Sequence, residues 1–187
     1  MLYVTGMHNL RQYGYTYNEI FKDKIKNIVL VNNQKNINKM DKIFSRTSLQ
    51  FSNFLKKNQP DLVIVHGDRV EALACSIVAC LNNIKVGHIE GGEITGTVDE
   101  MIRHSISKIS NIHFVTNKFA KKRLIQMGEK KSSVFIIGSP DVDIILKKNL
   151  PNISHAKKRY NITYKDYAIG ILHPVTTDLK NQKKNSE

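Results

Sequence analysis

The stretch from Leu62 to Leu81, LVIVHGDRVEALACSIVACL, decides the fold class. Its first residues, Leu62–Val65, form a continuous apolar run, which is typical of a strand buried on both faces. The next residues, His66–Arg69, are polar and contain a glycine, and this pattern predicts a turn. The remainder, Val70–Leu81, is long and mostly apolar, and it predicts a buried helix. The stretch therefore indicates one strand–turn–helix unit of an α/β protein.

Strands and helices alternate on both sides of this stretch. The predicted strands are Leu2–Thr5, Ile28–Val31, Leu62–Val65, Lys85–Ile89, Ile112–Thr116, Val134–Ile137 and Tyr167–Leu172. The predicted helices are Met40–Asn58, Val70–Leu81, Asp99–Ile109, Lys118–Met127 and Asp141–Lys148. This alternation predicts an α/β fold with a parallel sheet and helices on both of its faces.

The alternation also suggests a domain division. A polar segment that contains Pro151 follows the helix predicted at Asp141–Lys148. We therefore predict one domain over residues 1–148 and a linker over residues 149–166. The strand predicted at Tyr167–Leu172 would then begin a second domain, over residues 167–187, that the chain does not complete.

The composition is that of an ordinary globular protein with an excess of positive charge. The 187 residues are 41% hydrophobic, and the net charge is +13. Solvated surfaces explain the lysine clusters, and an anionic partner is the alternative. Nucleic acid is not expected, because zinc-finger, helix-turn-helix and RNA-binding signatures are lacking. Cys75 and Cys80 are interpreted as small buried side chains, not as disulfide or zinc partners.

The chain is expected to be cytoplasmic and to have no membrane contact. None of its apolar runs approaches the roughly 20 residues that a membrane-spanning helix needs. The first residues, Met1–Gly6, have no charged-then-apolar signal-peptide pattern.

Polar residues follow three of the predicted strands. In open parallel sheets, ligands bind beyond the carboxyl ends of the strands, so these residues are the candidate site. The three segments are His66-Gly67-Asp68-Arg69, His88-Ile89-Glu90-Gly91-Gly92-Glu93 and His173-Pro174-Val175-Thr176-Thr177-Asp178. Each segment combines a histidine with a carboxylate. Because all three follow the carboxyl ends of parallel strands, we expect these groups to open onto one crevice.

Each of these residues also has a purely structural interpretation. Asp68 and Asp99 could cap the helices that follow them. The pair Gly91-Gly92 could form only a tight turn, and His66 and His88 could be structural histidines.

As a series, the motifs resemble those of the hydrolysing UDP-N-acetylglucosamine 2-epimerases. The series comprises residues 66–69 (HGDR), 88–93 (HIEGGE), 96–99 (GTVD) with 102–104 (IRH), and 173–178 (HPVTTD). The non-hydrolysing epimerases carry a threonine in place of Arg69. They also carry Glu-Ala-Gly in place of Glu90-Gly91-Gly92. The sequence therefore favours the hydrolysing branch.

This resemblance implies an architecture and a reaction. It implies two Rossmann-like domains of the glycosyltransferase-B type, with a UDP-sugar in the cleft between them. It implies elimination of UDP to give a 2-acetamidoglucal, addition of water, and release of N-acetylmannosamine for nonulosonic (sialic-type) acid biosynthesis. It implies no cofactor and no metal, and it implies that full-length relatives are homo-oligomers.

The resemblance also assigns roles to individual residues. The implied catalytic residues are Asp68, Glu90, Asp99 and His173. The implied substrate-binding residues are Arg69, His88, Gly91, Gly92 and Arg103. Acid and base roles are not divided among the three carboxylates. The sugar is also left open, because close relatives act on diacetylated bacillosamine derivatives.

The family begins with a strand that would precede Leu2, and that strand is central in the sheet order 3-2-1-4-5-6. It would lie between Leu2–Thr5 and Leu62–Val65, so we expect a truncated first domain and an inactive chain. Two alternatives remain at this stage. One is a metal-dependent hydrolase whose ligands would be His66, Asp68, His88 and Glu90. The other is a non-catalytic remnant that binds a nucleotide sugar.

Overall fold

The computed structural model describes residues 1–147, 150–171, 181 and 184. These residues form two compact units, Met1–Ile137 and Gly138–Glu187. The strands are β1 (Leu2–Val4), β2 (Ile28–Leu30), β3 (Leu62–His66), β4 (Lys85–Ile89), β5 (Ile112–Val115) and β6 (Val134–Ile136). The helices are α1 (Tyr17–Lys22), α2 (Met40–Lys57), α3 (Val70–Leu81), α4 (Val98–Ile109), α5 (Lys118–Gln126), α6 (Pro140–Ile145) and α7 (Ile153–Arg159).

The strands of the first unit form two parallel sheets. One contains β1 and β2, and the other has the order β3-β4-β5-β6. In the larger sheet, Val65 pairs with His88, His88 with His113, and His113 with Val134. Paired residues in neighbouring strands point to the same face, so this row marks one face of the sheet. The two sheets are separate in the described residues, and the sequence predicts a further strand between β1 and β3.

One face of the larger sheet carries the core. Helices α2, α3 and α4 bury apolar side chains against β3 and β4, and α5 packs on β5 and β6. Helix α2 does so because Ile43, Thr47, Phe51 and Leu55 recur every four residues and are all buried. The ring of Tyr3 in β1 lies 5.0 Å from that of Phe51, so aromatic packing joins the smaller sheet to α2.

The opposite face of the larger sheet is apolar and open. Leu62 and Ile64 of β3 are 36% and 55% exposed there, and Phe135 and Ile137 are 49% and 48% exposed. Parallel sheets are normally covered on both faces. In the described residues, α2–α5 cover only one face of this sheet, so the predicted two-sided helical cover is present on one side.

The second unit contains two short helices. Helix α6 begins with Pro140 at its first turn. Helix α7 begins after Asn152, whose side chain accepts a hydrogen bond from the Ser154 N–H, and it lies inside the segment predicted as a linker. Residues 167–171 form no strand, and Leu172 lies outside the described residues. A second domain from residue 167 stays a prediction.

The described helices lack the combination of length and hydropathy that a bilayer-spanning helix requires.

Candidate functional site

A cavity of about 1070 Å³ lies at the carboxyl ends of β1, β2 and β3. Asp68, Arg69 and Asp99 lie on one wall, so the structure brings together three of the residues predicted from the sequence. The opposite wall comes from the loops after β1 and β2. Those loops contribute Met7, Leu10, Arg11, Gln12, Tyr13, Gln34, Lys35, Asn36, Ile37 and Asn38.

Asp68 is held in place by a buried arginine. Gly67 has a φ of +75°, a conformation that suits glycine, and it turns the chain so that Asp68 follows β3. The carboxylate of Asp68 accepts a hydrogen bond from Arg103 Nη2. Arg103 Nη1 donates to the carbonyl of Glu93 at 2.9 Å, and the Arg103 side chain is only 7% exposed. Arg103 therefore orients the carboxylate from beneath and is shielded from the crevice.

Arg69 occupies the N-cap position of α3, with extended backbone angles. Its side chain is 54% exposed, and its Nε lies 3.5 Å from Glu71 Oε2. No side chain accepts a hydrogen bond from the guanidinium group among the described residues. A half-exposed cation at a helix N-terminus, on the wall of a cavity, is suited to an anionic ligand because its terminal nitrogens are open to the cavity.

Asp99 lies in the first turn of α4, and its Oδ2 accepts from Thr97 Oγ1 at 3.2 Å. The backbone N–H groups before the helix bond instead to Glu100, which accepts from Thr95 at 2.6 Å and Gly96 at 2.7 Å. The hydrogen bond from Gly96, followed by that from Thr95, lowers the pKa of Glu100. Glu100 thus binds the backbone N–H groups that precede α4, whereas Asp99 lies at the cavity wall.

Neither α3 nor α4 has a side-chain N-cap hydrogen bond. The structural interpretation of Asp68 and Asp99 as helix caps therefore has no support in the geometry.

Glu90 lies at the neighbouring strand end and does not line the cavity. Its Oε2 lies 2.8 Å from His66 Nε2, which pairs the residues that follow β4 and end β3. Its backbone has a φ of +65°, which costs a residue with a side chain about 1–2 kcal/mol. The Glu90 N–H donates to the carbonyl of Phe114 at 2.8 Å and holds this conformation.

His88 is completely buried beneath the site. Its Nε2 is 2.8 Å from the carbonyl oxygen of Gly67 and must donate to it, so its Nδ1 accepts from Ser107 Oγ at 3.0 Å. Burial lowers the pKa of His88 to about 4, although the bond to Gly67 acts in the opposite direction. With both nitrogens occupied, His88 supports the turn that carries Asp68.

Gly91 and Gly92 allow the chain to pass close to its neighbours. A Cβ atom at Gly91 would lie 2.7 Å from Ser107 Oγ and 2.8 Å from His88 Nδ1. Gly92 has a φ of +82°, and its Cβ would lie 2.6 Å from the carbonyl oxygen of Ala120. Both positions exclude any larger residue, which gives these glycines a packing role. The predicted catalytic residue His173 lies outside the described residues.

The wall formed by the loops after β1 and β2 was not predicted from the sequence. These loops also lie at the carboxyl ends of parallel strands, so the same rule applied to Leu2–Thr5 and Ile28–Val31 would have found them. Glu71, a buried carboxylate within a stretch that otherwise predicts only a helix, was not predicted as a site residue either.

Comparison with known proteins decides the family. Over residues 1–186 the chain matches the family model described as UDP-N-acetylglucosamine 2-epimerase. The chain belongs to the UDP-N-acetylglucosamine 2-epimerase family.

Two curated members of this family show how the match is distributed. The UDP-N-acetylglucosamine 2-epimerase of Neisseria meningitidis serogroup B is 45% identical over 177 residues, which cover 95% of this chain and 47% of that protein. The hydrolysing UDP-N,N'-diacetylbacillosamine 2-epimerase of Legionella pneumophila is 40% identical, over 96% of this chain and 49% of that protein. The chain therefore spans about half the length of the curated relatives it matches.

Solved structures of epimerases share the fold. A crystal structure of UDP-GlcNAc 2-epimerase from N. meningitidis bound to UDP-GlcNAc superposes with a TM-score of 0.68 at 25% identity, covering 77% of this chain and 40% of that one. The enzyme from Methanocaldococcus jannaschii superposes with a TM-score of 0.65 at 24% identity, over 77% of this chain and 39% of that one. The predicted α/β class, a Rossmann-like parallel sheet of the glycosyltransferase-B type, is confirmed.

The geometry counts against the metal-dependent hydrolase. His88 has no free nitrogen for a metal, because Gly67 and Ser107 occupy both. In the described parts of the chain, side chains of His, Cys, Asp and Glu do not form a group of three or more that could hold an ion.

Proposed function

We propose that this chain supplies the carboxylates that transfer protons in a hydrolysing UDP-N-acetylglucosamine 2-epimerase. The reaction converts UDP-N-acetylglucosamine and water into N-acetylmannosamine and UDP through a 2-acetamidoglucal, in nonulosonic acid biosynthesis. The observation that carries the proposal is the placement of Asp68 and Asp99 on one wall of a single cavity, beside the cation of Arg69.

The first step breaks the C1–O bond and removes the proton from C2 of the sugar. Positive charge develops on the ring as UDP departs, and carboxylates near the ring stabilise that charge and accept the proton. Asp68 and Asp99 take these parts, and Arg103 fixes the direction of Asp68. The acid and base roles stay undivided between them.

The second step adds water at C1 and returns a proton to C2. It needs a second protonatable group beside the first. Glu90 and His66, joined at 2.8 Å on the neighbouring strand end, form such a pair and can share a proton. Glu90 therefore acts from beside the cavity in this proposal.

The diphosphate is assigned to Arg69 and His173. The exposed guanidinium of Arg69 stands at the N-terminus of α3, where the helix dipole also favours an anion. The assignment of His173 rests on the resemblance of its motif. His88, Gly91, Gly92 and Arg103 act through support of the site instead of through contact with the sugar.

In the complete enzyme we propose a further parallel strand that pairs with β1 and β3, and a second Rossmann-like domain that encloses the UDP-sugar. The break between the two sheets supports the first of these statements. The complete enzyme is a cytoplasmic homo-oligomer without a nucleic-acid or membrane partner, and the chain by itself does not turn over substrate.

A hybrid enzyme tests the proposal. This chain replaces the 177 matching residues of the meningococcal relative. The hybrid is incubated with UDP-N-acetylglucosamine, and released UDP and N-acetylmannosamine are measured. We expect turnover by the hybrid and none by the chain alone. A hybrid that folds and binds the UDP-sugar without releasing UDP would instead support the non-catalytic remnant.

The Legionella relative provides a second substrate to assay. UDP-N,N'-diacetylbacillosamine is offered to the same hybrid, because a relative 40% identical to this chain is named for that sugar. If the hybrid releases UDP faster from this compound than from UDP-N-acetylglucosamine, the assigned sugar changes and the assigned reaction stays the same.

A further inference from the structure

A buried polar network joins the two cavity loops to the helices behind them. The N–H of Gly6, after β1, donates to Asn33 Oδ1 at 2.7 Å, and Asn33 Nδ2 donates to Thr47 Oγ1 in α2 at 2.6 Å. Asn33 follows β2 and is fully buried. The loops after β1 and β2 are thereby fixed to each other and to α2.

Glu71 connects the same loops to α3. Its Oε1 accepts from Gln34 Nε2 at 2.7 Å, and the residue is only 6% exposed. Gly6 lies so close that a Cβ atom there would be 2.8 Å from Glu71 Oε1. Both loops therefore pack against this one carboxylate.

The second oxygen of Glu71 is left without a hydrogen bond. Oε2 is buried, and the described residues offer it only the Nε of Arg69 at 3.5 Å. A buried carboxylate without full hydrogen bonding is costly, so a purely structural position would be better served by glutamine or an apolar residue. The presence of a carboxylate at this position therefore indicates a role beyond packing.

That role follows from the geometry of the guanidinium group. A carboxylate on the Nε side restrains the rotation of the guanidinium plane. The two terminal nitrogens are then free to meet an anion in the bidentate manner that arginine prefers. Arg69 is the cation on the cavity wall that the proposed function assigns to the diphosphate.

We propose that Glu71 is a positioning residue: its carboxylate orients Arg69 toward an anionic ligand and holds the loops after β1 and β2 as the opposite wall of the cavity. The part that concerns Arg69 rests on the proposed function. The part that concerns the loops stands on the contacts with Gly6 and Gln34 alone.

Hydrogen–deuterium exchange of the chain tests the loop contacts. Glu71→Ala removes the acceptor of the Gln34 hydrogen bond and is expected to speed exchange in residues 7–13 and 34–38. Glu71→Gln keeps an amide oxygen as acceptor and is expected to do so less. The matched control is Glu100→Ala, because Glu100 is also a glutamate in a helix's first turn that holds a loop, through Thr95 and Gly96. The control is expected to loosen residues 94–97 only. Equal exchange in the native chain and Glu71→Ala overturns the proposal.

Kinetics of the hybrid enzyme test the effect on Arg69. For Glu71→Gln we expect KM for UDP-N-acetylglucosamine to rise about tenfold, with kcat falling by less than about threefold. Added to Arg69→Ala, the same change is expected to raise KM by no more than about twofold, because its partner is already lost. Full additivity of the two changes overturns the positioning of Arg69. If the native hybrid releases no UDP, the proposed function fails, and the exchange data alone decide the role of Glu71.

Discussion

The cavity lies at the ends of both sheets, and different contacts hold the residues that each sheet contributes to it. At the end of the larger sheet, Asp68 is held by Arg103, and the turn before it by His88, so one carboxylate has two buried supports. At the end of the smaller sheet, the loops depend on Asn33 and Glu71. The carboxylate proposed for chemistry is thus fixed by α4 and by the neighbouring strand of its own sheet, whereas the enclosing wall is fixed by contacts between its loops and helices α2 and α3.

The largest expected effect concerns the larger sheet. Asp68→Asn in the hybrid enzyme should lower kcat about 10²–10⁴-fold, the usual cost of removing a proton-transfer group. The control is Asp23→Asn, an exposed carboxylate that follows α1 in the region of the smaller sheet. UDP release is measured for both. A near-native rate for Asp68→Asn would show that the carboxylate at this sheet end has no chemical role.

The support by His88 should appear as pH-dependent stability. Its pKa is about 4 in the folded chain and near 6.5 when unfolded. The unfolded chain therefore binds the extra proton between these values, so the free energy of unfolding falls by about 3 kcal/mol as pH drops from 6.5 to 4. Urea unfolding across this range measures the slope, and His88→Gln should flatten it. The exposed His8→Gln variant serves as the control.

Substitution of two glycines with the same backbone conformation compares how tightly the two regions are packed. Gly92 beside the larger sheet and Gly14 beside the smaller one have φ values of +82° and +80°. Gly92→Ala must also displace the carbonyl of Ala120, whereas a Cβ at Gly14 meets nothing within 4 Å. We expect losses of about 3 and about 1 kcal/mol in unfolding free energy, respectively. Equal losses would mean that the loop at Gly92 is no more tightly packed than the one at Gly14.

The smallest effect is expected on the open face of the larger sheet. Ile64 is 55% exposed, so Ile64→Lys should change the unfolding free energy of the chain by less than about 0.5 kcal/mol. Val65, its neighbour on the covered face, is 8% exposed, and Val65→Ala should cost about 2 kcal/mol. Light scattering should show less self-association for Ile64→Lys, because an apolar patch has been interrupted. A large loss of stability would show that Ile64 is packed in solution.

The elements were predictable from local pattern. Apolar runs and glycine-containing turns placed β3, α3 and β4 to within a residue, because each has a continuous signal of its own. The same pattern placed Asp68 at a strand end that faces the cavity, as the rule for parallel sheets requires. Asp99, which lies in the first turn of α4, was assigned by resemblance to the family motif.

The hydrogen-bond partners of the side chains could not be predicted from the sequence pattern. Spacing shows that Glu90 follows a strand, yet its direction depends on the left-handed backbone at that residue and on His66, 24 positions away. His88 has the same sequence signal as a ligand-binding histidine, and only the positions of Gly67 and Ser107 reveal that both nitrogens are used. Such pairs are set by tertiary packing, which leaves no local periodicity.

The separation of the strands into two sheets also gives the first unit a mechanical weak point. Main-chain hydrogen bonds bind each sheet internally, and the load between sheets passes through side chains such as Tyr3 against Phe51. A pulling force applied at the ends of the first unit would therefore part these aromatic contacts before it sheared the four parallel strands. The smaller sheet should come away as an early, low-force event, with the larger sheet still intact behind it.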